Sequence, residues 1–324
     1  MSVAMIREQY NLLYQTSTTI NTELANLDEL TDMSFQEQPP EYEDIYRVSD
    51  GDGSAENDYA IGGFGLPQQQ DSELSGLTYD VQGRWFPQTY VFVDFNLGYI
   101  VSHNLVADDK WNIAGNRAKW FGRSFRRLPE VLGARLFNLG FTSNTPGPFG
   151  NLGLISPDGV PLFSTAHPNP GPGGGVQSNT NASGGAALSH ASVQAMMIRM
   201  ALRTDDRGMP VNIPMRTLLV PPQLWPTSLE ILNSAFRTDT LNRVKNVLPN
   251  VMAVEPKQNF YLSSPTAYFG IGPKSDIGLR FIWRERFTRR IWDDNETRAV
   301  HVGGWVRLDY GYSHYFGTDG DPGA

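Results

Sequence analysis

The longest helical pattern in the chain runs over Asp108–Leu139, and it limits what the remaining residues can fold into. Ala114, Ala118, Phe121, Phe125, Leu128 and Leu132 recur as one apolar stripe. Asp108 and Asp109 suit an N-terminus, where the helix dipole favours negative charge, and Gly140 suits a stop. Pro129 sits inside the pattern and removes an amide donor. It predicts a long rod followed by a shorter helix, Pro129–Leu139. Such a rod needs neighbours along its stripe.

The flanking segments read mostly as β structure. Tyr59–Tyr99 is extended, punctuated by Gly62, Gly63, Gly65 and Pro67, with a polar tip at Gln68–Ser75. On the return strand Tyr90, Phe92, Asp94 and Asn96 share one face, and Val91, Val93, Phe95 and Leu97 the other. A two-stranded ribbon is not stable alone in water, so this one must lean on something else. Val160–Phe163 reads as a short strand and Pro168–Gly185 as a long mobile loop. Ala187–Leu202 reads as a helix burying Val193, Met196, Met197 and Met200. Thr217–Val220 is a buried strand, and Pro221-Pro222 fits the first turn of the next helix. Phe281–Trp292 and Thr297–Tyr310 alternate about Asp293–Glu296 and predict a hairpin; the tail Thr318–Ala324 is expected to fray. At the other end, Ile6, Tyr10, Leu13, Ile20, Leu24 and Leu27 predict a helix over roughly residues 4–30. Pro39-Pro40 stops any continuation, and Asp50–Asp58 reads as a loop. The elements together form an α+β chain.

Charge is unevenly spread. Residues 1–58 carry net −11, whereas the remainder sums to +3. A chain of this kind lacks the basic face of a duplex-DNA reader, and its acidic arm suits basic surfaces on neighbouring copies. There is no cysteine, hence no disulfide and no thiolate metal or redox site. The N-terminus shows no secretory pattern, and no apolar run reaches membrane-span length.

Catalytic and cofactor motifs are not found. The Gly-rich loop lacks the lysine and hydroxyl of a phosphate cradle, and the five histidines show no metal-ligand spacing, so no cofactor and no metal are expected. Ser164 and His167 are close in sequence, but no third partner for a hydrolase triad is evident. His167, ahead of Pro168, reads as a turn or packing residue. Two basic clusters stand out: Arg117, Lys119, Arg123, Arg126 and Arg127 on the long helix, and Arg284, Arg286, Arg289 and Arg290 on the first hairpin strand. Salt bridges to acidic neighbours, including the arm of another copy, are the favoured reading. Non-specific attraction to nucleic-acid phosphates is the other.

Several segments in order carry a family resemblance. They are F-N-L-G-Y-I-V-S-H-N-L-V-A-D-D-K at Phe95–Lys110, P-E-V-L-G-A-R-L-F-N-L at Pro129–Leu139, and D-G-V-P-L-F-S-T-A-H-P-N at Asp158–Asn169. The Met-rich helix, L-L-V-P-P-Q-L at Leu218–Leu224 and the C-terminal hairpin follow. This set resembles the major head subunits of tailed phages, in the Mu-like branch of the Hong Kong 97-type capsid fold. The resemblance implies an N-terminal arm over 1–58, an E-loop ribbon over 59–100 and a peripheral (P) domain with its spine helix over 101–145. It further implies an axial (A) domain over 146–254 and a return to the P domain with hairpin and tail over 255–324.

The implied function is self-assembly into pentamers and hexamers of an icosahedral shell around double-stranded DNA, in a virion assembled in the host cytoplasm. Trp85, Phe86 and Tyr90 on the ribbon become candidate intersubunit anchors, since buried aromatic residues dominate interface energies. Arg117, Arg123, Arg127, Arg284, Arg286, Arg289 and Arg290 become candidate intersubunit charges. Some relatives weld the shell through an E-loop lysine. The lysines here, Lys110, Lys119, Lys245, Lys257 and Lys274, lie off the ribbon, so no such cross-link is expected. The acidic arm is short for a built-in scaffold. A separate scaffolding protein is therefore implied, with a portal protein and a decoration protein as further partners and no membrane. An encapsulin-like compartment shell and a hydrolase using Ser164 and His167 are the competing readings.

Overall fold

A computed structural model describes residues 28–37, 39–69, 77–102, 104–105, 113–142, 149, 152–153, 156–169, 171, 175–236, 245–246, 248, 253–294, 296 and 299–324. The chain divides into two compact units. The first is formed by Met1–Pro40, Val93–Glu130 and Glu285–Arg307, and the second by Glu41–Phe92, Val131–Arg284 and Leu308–Ala324.

In the first unit, β4 (Val93–Ser102) joins the distal parts of β10 (Leu279–Asp294) and β11 (Ala299–Tyr312) in the order β10-β11-β4. The long helix, Ile113–Asn138, brings Phe121 and Phe125 against this sheet. Phe125 stacks on Phe287 at 4.5 Å between ring centroids, Phe287 stacks on Phe35 at 5.0 Å, and Tyr99 meets Phe121 edge-on at 5.2 Å. Gly304 is required here, because a Cβ at that position would lie 2.7 Å from the Phe125 ring and 2.8 Å from Phe287. A helix over 28–36 crosses the long helix at Gly122, whose missing side chain leaves room for Ser34 and the Thr31 carbonyl. This described helix ends at residue 36, beyond the expected end at about residue 30. The residues expected to begin it, 4–27, lie outside the described residues.

The long helix is continuous through Pro129, and the expected split does not occur. A proline in a helix interior costs about 3 kcal/mol, but the surrounding turn is held by burial. Leu132, Ala134, Leu136 and Phe137 are all buried in the second unit, and the Tyr46 hydroxyl donates to the Gly133 carbonyl at 2.7 Å.

The second unit is built on a four-stranded sheet in the order β12-β9-β7-β8, comprising Thr318–Asp321, Tyr268–Ile271, Thr217–Val220 and Glu255–Gln258. β7 runs parallel to β8 and antiparallel to β9. The Met-rich helix His190–Ala201 packs on it through Val193, Met196 and Met200, joined by Met215, Leu218, Ile231, Leu232 and Tyr268. Ser189 and Ser192 form a reciprocal capping box that starts this helix. After Pro221, a 3-10 turn at Pro222–Leu224 leads into helix Trp225–Asn233, as the Pro-Pro pair predicts.

Four local expectations are corrected. The tail does not fray: Thr318–Asp321 is a buried strand paired with β9, and Asp319 is gripped by Arg199 at 2.7 Å and Arg203 at 2.8 Å. Val160–Phe163 is not a strand, because its groups bond elsewhere; the Phe163 amide donates to the Gly140 carbonyl at 2.8 Å. The Gly-rich stretch is partly ordered, since β5 (His167–Pro168) pairs with β6 (Val176–Gln177) and Asn179 is fully buried. The ribbon is also redrawn. β2 (Ala55–Ile61) begins inside the expected Asp50–Asp58 loop and pairs antiparallel with β3 (Arg84–Val91), while β4 after Phe92 leaves for the hairpin sheet. At the ribbon base Tyr90 and Phe92 pack on Ile282, and β1 (Arg47–Asp50) runs parallel to the start of β10.

Candidate assembly surfaces

The Asp158–Asn169 segment closes on itself around a buried histidine. His167 Nδ1 lies 2.6 Å from the Asp158 carboxylate, and Nε2 lies 3.0 Å from Asn179 Oδ1 and 3.2 Å from the Leu162 carbonyl. The Ser164 amide donates to Asn179 Oδ1 at 2.8 Å, while Asn179 Nδ2 donates to Leu162 O at 2.5 Å, which fixes the amide orientation. Both imidazole nitrogens therefore lie within hydrogen-bond distance of side-chain or backbone oxygens. The ring stacks on Tyr315 at 3.9 Å and has no exposed surface. Burial pushes the Asp158 carboxyl up, but hydrogen bonds from His167, Ser156 and the Val160 amide outweigh it and hold the group below the ordinary carboxylate range. Ser164 Oγ accepts from the Ala166 amide, and no Ser164–His167 bond occurs among the described residues. The geometry is that of a structural staple, not a nucleophile and base. The sequence lacked only the partners: Asp158 was in plain view nine residues upstream, but Asn179 comes from beyond the Gly-rich stretch.

The ribbon aromatics separate into different environments. Tyr90 is fully buried at the base within its own unit and is not available as a surface anchor: it alternates onto the face that meets Phe92 and Ile282. Trp85 is half-buried, with its indole donating to Asp206 at 3.0 Å, and Phe86 is half-buried with a positive φ of 54°. The large exposed apolar side chains lie further out. Leu77, Tyr79 and Val81 are 82%, 87% and 79% exposed, and Phe64 and Leu66 join them across the tip. The polar composition of the tip centre hid this run from sequence reading.

The basic clusters find their acids inside the chain. Arg123 pairs with Glu37 at 2.8 Å, and Arg289 bonds both Asp28 and Asp32. These carboxylates raise Arg289 further above its usual range. Arg126 pairs with Glu130, one turn on. Arg117 donates to the Ile100 carbonyl and Arg284 to the Gly51 carbonyl. Arg127 and Arg123 both lie over the exposed Trp120 ring, at 5.6 and 5.3 Å. Arg286 and Arg290 are exposed on β10. The favoured salt-bridge reading thus has a specific form, in which the acidic 28–37 segment neutralises helix and hairpin of the same chain. The remaining lysine contacts are peripheral: Lys257 pairs with Asp44 at 2.7 Å.

Among the described residues no His, Cys, Asp or Glu group is arranged to hold a metal ion, and no helix is long and apolar enough to cross a membrane.

Comparison with known proteins identifies the fold and the family. The capsid of cyanophage P-SCSP1u aligns with a TM-score of 0.57 at 8% identity, covering 87% of this chain and 88% of that one. A structure from Microbacterium phage Oxtober96 aligns at 0.52 with 11% identity, covering 88% and 91%. The capsid of bacteriophage JBD30 decorated with minor capsid protein trimers aligns at 0.50 with 15% identity, covering 70% and 92%. These similarities establish the Hong Kong 97-type capsid fold. No curated protein sequence matches. The family model for phage capsid protein matches residues 90–317, most of the chain, and with it the chain belongs to the phage capsid protein family as a major, shell-forming subunit.

Proposed function

We propose that the ribbon Ala55–Val91 acts as the E-loop and docks its tip on a neighbouring copy as the shell closes into pentamers and hexamers. The observation that carries this reading is the exposed apolar run Phe64, Leu66, Leu77, Tyr79 and Val81 at the ribbon end. Exposed apolar groups concentrated on one projection mark an interaction site. Closed head-to-tail association of one subunit type gives rings, which suits such a projection. Trp85 and Phe86 serve the ribbon neck, and the apolar tip supplies the anchors. The 28–37 segment belongs to the arm. The A domain extends beyond the expected bounds of 146–254, because β8, β9 and β12, expected in the return to the P domain, share one sheet with β7.

The same reading places the protein in the Mu-like branch, with assembly in the host cytoplasm, a separate scaffolding protein and a portal protein. Packaged DNA is touched only through non-specific charge, for which Arg127, Arg286 and Arg290 are the exposed candidates. The trimer-decorated JBD30 capsid supports a decoration protein on this shell as well. The chain works without a catalytic centre. The fully buried His167, bonded to Asp158 and Asn179 rather than to Ser164, supports that, and the phage family match favours a phage head over a cargo compartment. No E-loop lysine is available, so mature particles should run as single subunits on a denaturing gel; a cross-linked ladder refutes this.

The test is the double substitution Tyr79→Ser with Val81→Ser in the full chain, co-expressed with its scaffold and viewed by electron microscopy. Shells are expected from the unaltered chain, and soluble, unassembled subunits with an unchanged melting temperature from the variant. Normal shells from the variant would overturn the E-loop assignment.

A further inference from the structure

The ribbon does not leave its unit freely: it is gripped at the neck. The β2-β3 ladder continues past Ile61 and Arg84 through the Gly62 amide, which donates to the Gly83 carbonyl at 2.9 Å. At this point the buried Asp206 carboxylate enters. Its Oδ1 accepts from the Gly63 amide at 3.0 Å, and its Oδ2 accepts from the Trp85 indole at 3.0 Å. One carboxylate thus ties together both limbs of the ribbon. The approach depends on glycine. A Cβ at Gly62 would fall 2.4 Å from Asp206 Oδ2, and one at Gly63 would fall 2.7 Å from Asp205 Oδ2. Further out, Arg207 donates to Asp80 at 2.7 Å and to the Val81 carbonyl at 3.1 Å, while the other Asp80 oxygen accepts from the Gly65 amide at 2.8 Å. The tip limbs are therefore tied a second time.

The loop that provides these groups is itself stiff. The Val211 amide donates to the Arg203 carbonyl at 2.9 Å, and the Asp205 amide donates to Met209 O at 2.8 Å. Asp205 Oδ1 accepts from the amides of Arg207 and Met209. Arg203 is buried and fastened to Asp319 and to the carbonyls of Tyr315 and Phe316. A path of short polar contacts runs from the strand β12 through this loop to the ribbon neck.

We propose that Asp206 and Arg207 are positioning residues for assembly: they form a latch that fixes the direction of the ribbon, and the closed latch is the docking-competent state for a second copy of the chain. The proposal rests on the E-loop reading above. Its physical basis is preorganisation. Ordering a two-stranded projection at the moment of docking subtracts from the association energy, whereas a projection already held loses little. The latch contacts are intramolecular and lie at the neck, while the apolar tip residues stay exposed beyond it. Contacts to the neighbour and contacts that aim the ribbon are thus made by different side chains, and they can be altered separately.

The test uses the full chain with Trp85→Phe and Arg207→Gln together, which keeps the ring and the side-chain length but removes the latch donors. Asp206→Ala is the stronger second variant. Hydrogen exchange by mass spectrometry over residues 62–66, melting temperature, and shell formation with the scaffold are read in parallel. The expected result for the double variant is at least tenfold faster exchange over 62–66, an unmoved melting temperature, and at least tenfold slower shell formation. Faster exchange with normal shell formation overturns the proposal, and so does unchanged exchange. If Asp206→Ala fails to fold, the double variant decides alone. The tip variant Tyr79→Ser, Val81→Ser separates the two readings: if it assembles normally, the E-loop assignment falls; if it fails while the latch variant assembles normally, only the latch falls.

Discussion

Asp309 offers the sharpest quantitative prediction. Its side chain is buried at the foot of the ribbon, where it accepts from the Tyr310 amide at 2.8 Å and from the Val91 amide. No cation pairs with it among the described residues. Burial pushes its carboxyl up to about 7 from an ordinary 3.8, against the opposing pull of the two amides. A tenfold change in proton affinity corresponds to about 1.4 kcal/mol, so the native state gives up about 4 kcal/mol relative to an ordinary aspartate once both states are ionised. The sign follows from proton binding. Below pH 3.8 both the folded and unfolded forms are protonated and nothing is lost. Between pH 3.8 and about 7 the unfolded chain releases its proton first, so stability falls as pH rises. Above that range the loss is complete and flat. Asp309→Asn keeps the accepting oxygen and abolishes the ionisation, but adds an amide donor whose burial without a partner costs about 1–3 kcal/mol. The variant is therefore expected to be less stable than the parent at about pH 4 and more stable at about pH 7.5. The difference between the two pH values should be about 4 kcal/mol. Urea unfolding of unassembled subunits at both pH values measures it. Parallel pH dependence in parent and variant would refute the assignment of a buried, uncompensated carboxyl.

The other predictions concern the staple and the arm. His167→Ala removes a buried ring that bonds Asp158 and Asn179. It should cost about 3–5 kcal/mol in urea unfolding; a loss below about 1 kcal/mol would mean that Asp158 finds other partners. Arg289→Glu replaces a cation between Asp28 and Asp32 with a third negative charge. The carboxylates are half-exposed, so screening limits the stability loss to about 1–2 kcal/mol. Limited proteolysis within 28–37 should nonetheless accelerate in this variant, and more so at low salt; an unchanged cleavage rate would count against the intrachain pairing.

How much was legible in the residues depends on the range of the interaction concerned. The Met-rich helix, the Pro-Pro helix start, the strand Thr217–Val220 and the hairpin were all readable, because periodicity and capping act over neighbouring residues. The errors have a common origin. Pro129 obeyed its local rule on paper, yet the helix passes through it because Leu132, Leu136 and Phe137 are buried in the turns that follow. The tail looked frayed because T-D-G-D-P-G-A offers almost nothing apolar to bury. It became a strand because Arg199 and Arg203, over a hundred residues away, demanded a carboxylate. The candidate anchors shifted for the same reason. Strand β3 begins only at Arg84, so its pleat turns Tyr90 into the core, whereas Tyr79 and Val81 precede the strand and stay exposed.

The sequence by itself determined the type of the long helix, the Met-rich helix and the hairpin, the acidic arm against a basic remainder, the absence of thiol chemistry, and, through an ordered set of short motifs, the capsid resemblance. These are properties of composition and short-range pattern, and they survive without coordinates. Only the tertiary structure decided which acids meet which arginines, that His167 is stapled by Asp158 and Asn179, that the ribbon ends at Val91, and that Asp206 grips its neck. Each of these pairs residues distant along the chain or settles which way a strand faces. Such a pairing depends on where the folded backbone puts a side chain, within a hydrogen bond's length, and no local pattern carries that distance.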